Sequence, residues 1–106
     1  MAAEKKPRHY QQFKTKYKDF FKSYEELGKA IRSQGPLDKK TSHLIQLAAS
    51  AAIHSQGSVH SHARRALEEG ATAEELYHAI ILLTTTIGFP TVAAALSWVD
   101  DIIKEQ

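Results

Sequence analysis

The sequence predicts an all-α protein, and three observations lead to that prediction. Apolar residues recur at helical spacing along most of the chain, alanine-rich stretches permit close helix packing, and no alternating run with hairpin signals predicts a strand. The 106 residues suit a single domain over residues 1–106, with residues 1–9 predicted to be a frayed tail. With 42% hydrophobic and 25% charged residues, the composition is that of a folded chain rather than a disordered one.

The first two helices follow from apolar spacing and from their stop and start signals. The first is predicted from about Tyr10 to Ser33, and Gly35-Pro36 ends it. Its apolar positions at helical spacing are Phe13, Tyr17, Phe20, Phe21, Tyr24, Leu27 and Ile31. Asp38 is placed as the N-cap of the second helix, which is predicted to end near Gln56-Gly57.

Three more helices complete the prediction. The third starts around Ser58 and ends at Gly70, a residue suited to the C′ position. The capping box Thr72-Ala73-Glu74-Glu75 opens the fourth, which is predicted to continue through Ile87. After Gly88-Phe89-Pro90, the proline can occupy the first turn of the last helix.

The segment from Ala79 to Val99 has no charged residue and is long enough to suggest a membrane helix. Gly88-Phe89-Pro90 breaks it in the middle, which favours two short buried helices that meet at a turn. So apolar a segment, together with Trp98, also predicts that a second subunit covers part of this surface, and hence a homo-oligomer.

Charge is distributed unevenly along the chain. Through Lys22 there are seven basic and two acidic residues, whereas the remainder has seven basic and ten acidic ones. Because no arginine-rich cluster or binding motif accompanies the basic end, we interpret it as a solvated helix face, with neither nucleic acid nor a membrane as partner. The chain starts without a signal-peptide core, which predicts a cytoplasmic protein, and it has no cysteine for disulfides or thiolate chemistry.

The stretch HSQGSVHSH carries His54, His60 and His62, and three readings of it stay open. His60 and His62 lie beyond opposite edges of the third helix's apolar face, so they do not form a metal site by themselves. If the second and third helices pack as an antiparallel hairpin, His43 and His62 approach each other and could exchange protons near neutral pH. The alternatives are a hydrogen-bonded pair without a substrate, or a metal site with a third ligand.

Three runs of residues resemble the carboxymuconolactone decarboxylase family, which includes the alkylhydroperoxidase-like proteins. They are GPLDKKTSHLIQLAASAA, SVHSHARRALEEGATAEELYHAIILL and IGFPTVAAALSWV, and the resemblance covers roughly residues 20–103. It implies an alkylhydroperoxidase-like bundle of about five to six helices that assembles as a homo-trimer or homo-hexamer. It also implies either thiol-dependent peroxide reduction or, in members without the cysteine pair, removal of CO2 from a small carboxylated lactone.

The family's motif positions carry over onto four residues of this chain. The motif histidine falls on His62, the two cysteines of C-x-x-C-x-x-x-H fall on Ser55 and Ser58, and the preceding glutamate falls on His43. Serine cannot supply a thiolate or a disulfide, so thiol peroxidase activity is not expected.

The resemblance therefore implies a cofactor-free lyase acting on a small carboxylated lactone or keto-acid. His62 and His43 would be the acid–base residues, with Ser58 and Ser55 beside them, and substrate-binding candidates are Arg64, Arg65 and His60. The competing interpretation of both arginines is i+4 pairing with Glu68 and Glu69. As alternatives to a lyase, the chain could be a non-catalytic oligomer that binds a small ligand or a metal, or one that has lost its activity.

Overall fold

The structure, a computed structural model, describes residues 8–106 and is entirely helical over that range. Its helices are α1 (Arg8–Lys16), α2 (Lys18–Arg32), α3 (Lys39–Ala52), α4 (Gln56–Glu68), α5 (Ala73–Ile81), α6 (Thr84–Ile87) and α7 (Phe89–Ile103). The all-α prediction is confirmed. The described residues form two compact units, 8–37 and 38–106. Most of the predicted tail at residues 1–9 lies outside the described range, although Arg8 and His9 begin α1.

The first unit contains two helices where one was predicted. The backbone of Tyr17 leaves the helical region, at φ −120° and ψ 58°, and separates α1 from α2. The break lets the ring of Tyr10 meet that of Phe21 edge-on at 5.5 Å, and Lys14 pair with Glu25 at 2.9 Å. In one continuous helix, residues eleven positions apart would be about 16 Å apart along the axis. The Tyr10–Phe21 and Lys14–Glu25 contacts therefore favour two helices, although the helical periodicity predicted one.

An apolar stripe along α2 stays exposed in this unit. Its members Phe20, Tyr24, Leu27 and Ile31 are each at least 54% exposed. A stripe of this spacing is the face by which an amphipathic helix normally packs on another element.

In the second unit, α3 and α4 form an antiparallel hairpin. Asp38 caps α3 as predicted, its carboxylate accepting a hydrogen bond from the Thr41 amide at 2.8 Å. The end of α3 was predicted too late, because His54 adopts a left-handed conformation at φ 60° just after it. Histidine is one of the residues that tolerate this region. Ser55 then caps α4, which starts earlier than predicted.

The connection from α4 to α5 follows the sequence closely. Gly70, at φ 95°, lies just beyond the end of α4, and the Ala71 amide donates to the Ala66 carbonyl at 2.9 Å. This is the Schellman arrangement that a C′ glycine favours. The predicted capping box is formed in both directions between Thr72 and Glu75.

The predicted fourth helix is divided into α5 and the short α6. The Thr84 hydroxyl donates to the Ile81 carbonyl at 2.7 Å, and such side-chain bonds compete with helical ones at a run of threonines. Gly88, at φ 90° and ψ 153°, precedes α7, and Pro90 lies in the first turn of α7 as predicted. No helix in residues 8–106 is both long and apolar enough to cross a membrane.

The core lies between α3, α4, α5 and α7. Its largest fully buried side chains are Leu47, Val59, Leu76, Ile80, Val92, Val99 and Ile102. Trp98, predicted to lie at a subunit contact, is half-buried and packs against this core. Helix α3 packs most extensively on α4. The hairpin that they form also packs on α5 and α7.

We expect stability to fall in acid, partly through Glu75. The Thr72 amide and then the Lys40 ammonium, at 3.0 Å, hold the pKa of Glu75 below its usual value. A carboxyl whose pKa is lower in the folded state stabilises the fold above its unfolded pKa, and this contribution is lost as pH falls through the folded pKa. Thermal unfolding of Glu75→Gln should therefore depend less on pH below about pH 4 than that of the wild type. Glu74→Gln, one residue away, is the control and should follow the wild-type pH dependence.

Candidate functional site

Two histidines face each other across the α3–α4 hairpin. His43 on α3 is buried, at 4% exposure, and His62 on α4 is half-buried. Their Nδ1 atoms are 3.3 Å apart and their ring centroids 5.5 Å apart. The structure thus brings together the two histidines that the hairpin hypothesis paired.

The short contact limits how many protons the pair can hold. Two ring nitrogens share a hydrogen bond only when one carries the hydrogen and the other accepts it. A second hydrogen in the contact would set N–H against N–H and bring two positive charges together. The pair in this geometry therefore carries one positive charge at most, and the proton on one ring fixes the tautomer of the other.

Two serines continue the contact between α3 and α4. The Ser50 hydroxyl, buried at 4% exposure, donates to the Gln46 carbonyl at 2.7 Å, and its oxygen lies 2.6 Å from the Ser58 hydroxyl. Since the single Ser50 hydrogen is used on the carbonyl, Ser58 must donate to Ser50. The Ser58 hydrogen is consequently held in this bond, and the Ser55 side chain accepts from the Ser58 amide at 3.3 Å as the α4 cap.

Sequence reasoning missed Ser50 and Gln46, although a signal was present. Ser50 follows His43 by seven residues, and Gln46 follows His43 by three, which places all three within about 60° around α3. The Oε1 atom of Gln46 is buried and accepts no hydrogen bond from any described residue. A buried amide oxygen in this position can accept a hydrogen bond from a bound molecule.

We expect Ser50→Ala to lower the free energy of unfolding by about 1–3 kcal/mol, because it leaves the Ser58 hydroxyl without its buried acceptor. Urea unfolding measures this change. Ser97→Ala is the matched control, since Ser97 also bonds a carbonyl of its own helix but is exposed, and it should change stability by less than about 0.5 kcal/mol. Equal losses in the two variants would contradict the role given to the serine pair.

Two of the predicted substrate-binding residues, His60 and Arg64, contact acidic residues in α7 and just beyond its end. His60 Nε2 lies 3.1 Å from an Asp101 carboxylate oxygen. Arg64 donates two hydrogen bonds to the Glu105 carboxylate, at 3.3 and 3.1 Å, and this pair is largely buried. His60 therefore attaches α4 to α7, and Arg64 attaches α4 to the residues that follow α7.

Arg65 differs from Arg64. It is half-buried, and its side chain makes no hydrogen bond or ion pair with any residue in 8–106. The predicted i+4 pairing of Arg65 with Glu69 is thus not formed. The positive charge of Arg65 is therefore available to bind an anion at the surface of α4.

The histidines do not converge on one point. His54 is exposed in the turn between α3 and α4, while His60 is bonded to Asp101. Within residues 8–106, no group of three or more histidine, aspartate or glutamate side chains is arranged to hold a metal ion. The candidate site therefore contains two histidines in contact, His43 and His62.

Two comparisons with known proteins agree with the fold, and each match covers most of the chain. A profile of the carboxymuconolactone decarboxylase family matches residues 18–101, from the start of α2 into α7. The crystal structure of apo-lpg0406, a carboxymuconolactone decarboxylase family protein from Legionella pneumophila, matches with a TM-score of 0.76 at 24% identity. That match covers 92% of this chain and 87% of the other. No curated protein gives a match.

Proposed function

The chain belongs to the carboxymuconolactone decarboxylase family, and from that membership we propose that it is a cofactor-free lyase. Its substrate would be a small carboxylated lactone or keto-acid, from which it removes CO2. The observation that carries the proposal is the His43–His62 contact at 3.3 Å. A pair of imidazoles that shares one proton can hold a single positive charge beside a substrate and pass a proton to it.

The reaction that suits this pair has two steps. The bond between the carboxylate carbon and its neighbour breaks, CO2 leaves, and the electron pair stays on the substrate as an enolate. The His62 ring then gives a proton to the carbon that lost the carboxylate. Because Nδ1 of His62 faces His43, this proton comes from Nε2, and the pair passes from one positive charge to none. A proton from water restores it.

The two rings are suited to different roles. His62 is the more exposed partner and is the one that would contact substrate, whereas His43 is almost fully buried. His43 would act as a positioning residue, since its Nδ1 would accept a hydrogen bond from the Nδ1–H of His62 and fix the orientation of that ring. The glutamate that the family usually has at this position would be negatively charged, whereas an imidazole there is either neutral or positively charged.

Thiol chemistry is not part of the proposal. The chain contains no cysteine, and the serines at the two thiol positions are engaged in the cap of α4 and in the bond to Ser50.

The test is turnover of a panel of small β-keto-acids and carboxylated lactones in D2O, followed by CO2 release and by NMR of the product. We expect one deuterium at the carbon that lost the carboxylate, and a rate that falls at high pH as the pair loses its charge. If no compound in the panel is turned over, the lyase proposal is wrong. Binding without turnover would then favour a non-catalytic small-ligand protein.

We also propose that the chain assembles with itself, as a homo-trimer or homo-hexamer. Besides the stripe on α2, the second unit exposes Ile81, Leu82 and Phe89, each at least 51% exposed. Apolar surface of this kind normally contacts a partner. Light scattering at micromolar concentration should give the mass of three or six chains, and a monomer mass would contradict the proposal.

A further inference from the structure

We propose that Arg65 is the anion-binding residue of the site and that it holds a carboxylate which stays on the ligand through the reaction. The inference relies on the proposed function only for the placement of the ligand beside His62. Its own support is the difference between two neighbouring arginines. The Arg64 guanidinium is already bonded to the Glu105 carboxylate, whereas Arg65 has no such partner in residues 8–106.

The register of α4 places Arg65 on the side of the helix that carries the site. Successive residues of an α-helix are separated by about 100°, so Ser58, His62 and Arg65 lie within about 60° of one another. Side chains three residues apart on a helix are neighbours, with Cβ atoms about 5–6 Å apart. Arg64 lies about 160° around the helix from His62, on the side where it pairs with Glu105.

The chemistry of the guanidinium identifies the kind of group it binds. Its planar donors match the two oxygens of a carboxylate and bind them with two parallel hydrogen bonds. An arginine bound to the departing carboxylate would stabilise the ground state more than the transition state, because that negative charge moves away as CO2 forms. Arg65 therefore suits a second carboxylate, one that remains in the product and orients the ligand against His62.

Arg65 lies in the last turn of α4, where a positive charge also interacts favourably with the helix dipole. That role would affect stability without affecting ligand binding. The two roles are separated by measuring affinity and thermal unfolding on the same variants.

The experiment is a titration of the full-length protein with succinate, a stable dicarboxylate, followed by NMR of the His62 and arginine side chains. Succinate should perturb both His62 and Arg65 in the wild type. Arg65→Gln should bind it about 10- to 100-fold more weakly, the loss expected for a charged hydrogen-bonded pair. Arg65→Lys should recover part of the affinity, because it keeps the charge but not the paired donors. Arg64→Gln, the matched control, should bind succinate like the wild type.

Three results would overturn the inference. They are an absence of succinate binding to the wild type, unchanged affinity in Arg65→Gln, and an equal loss in folded Arg64→Gln. Lower thermal stability of Arg65→Gln with unchanged affinity would assign Arg65 to the helix dipole. Because succinate is not decarboxylated, the result is independent of turnover. Unchanged succinate binding in Arg65→Gln leaves the lyase proposal intact, and failure of turnover leaves a succinate site at Arg65 intact.

Discussion

Replacement of His62 with alanine is expected to lower the rate of CO2 release by about 10²- to 10⁴-fold, the usual contribution of a positioned acid or base. The variant removes the proton donor and also leaves His43 without the ring it contacts at 3.3 Å. The measurement is the initial rate on the best substrate of the panel, with deuterium incorporation recorded for the residual activity.

His60→Ala is the matched control for that variant. It removes a histidine from the same helix, but one whose ring is bonded to Asp101 on α7. It should retain the wild-type rate, and circular dichroism should show that both variants are folded. If His62→Ala turns over substrate at the wild-type rate, the proton comes from another group, and the assignment of His62 is wrong.

Replacement of Leu47 with alanine is expected to lower the free energy of unfolding by about 2–5 kcal/mol. Leu47 is fully buried on α3, so the change removes core contacts and leaves a cavity. Single domains are commonly stable by about 5–15 kcal/mol, so the variant would lose a large share of its stability.

Leu82→Ala tests whether burial causes this loss. The substitution is chemically identical, but Leu82 is 64% exposed in a single chain, and we expect a change of less than about 0.5 kcal/mol at protein concentrations too low for assembly. Denaturant unfolding of both variants gives the comparison. A loss at Leu82 that matches the loss at Leu47 would show that Leu82 is buried in solution, as a subunit contact would require.

Local signals in the sequence predicted many parts of the fold. The caps at Asp38 and Thr72, the C′ glycine Gly70 and the first-turn Pro90 were all assigned correctly, because each acts through residues within a few positions. The break at Tyr17 was not predicted, since it depends on contacts between side chains that are distant along an ideal helix.

The site could be predicted only where helix geometry alone determines it. The antiparallel hairpin paired His43 with His62, because both lie at the border of the buried face. The sequence could not separate Arg64 from Arg65, since the partner that distinguishes them, Glu105, is 41 residues away. Ser50 was overlooked because its one sequence signal is its spacing from His43, which indicates a shared site only once His43 is placed opposite His62.

The connection between α3 and α4 limits which insertions preserve the contact between His43 and His62. It joins α3 to α4 with three residues and a left-handed His54. One residue inserted within α4 ahead of His62 would move the ring by about 100° around the helix and about 1.5 Å along it, which would separate His62 from His43. The side chains at the paired positions can differ without moving the helices, whereas the number of helical residues that precede His62 in α4 sets its register against His43. The helical register therefore keeps the two positions paired, while the side chains at those positions determine the chemistry of the site.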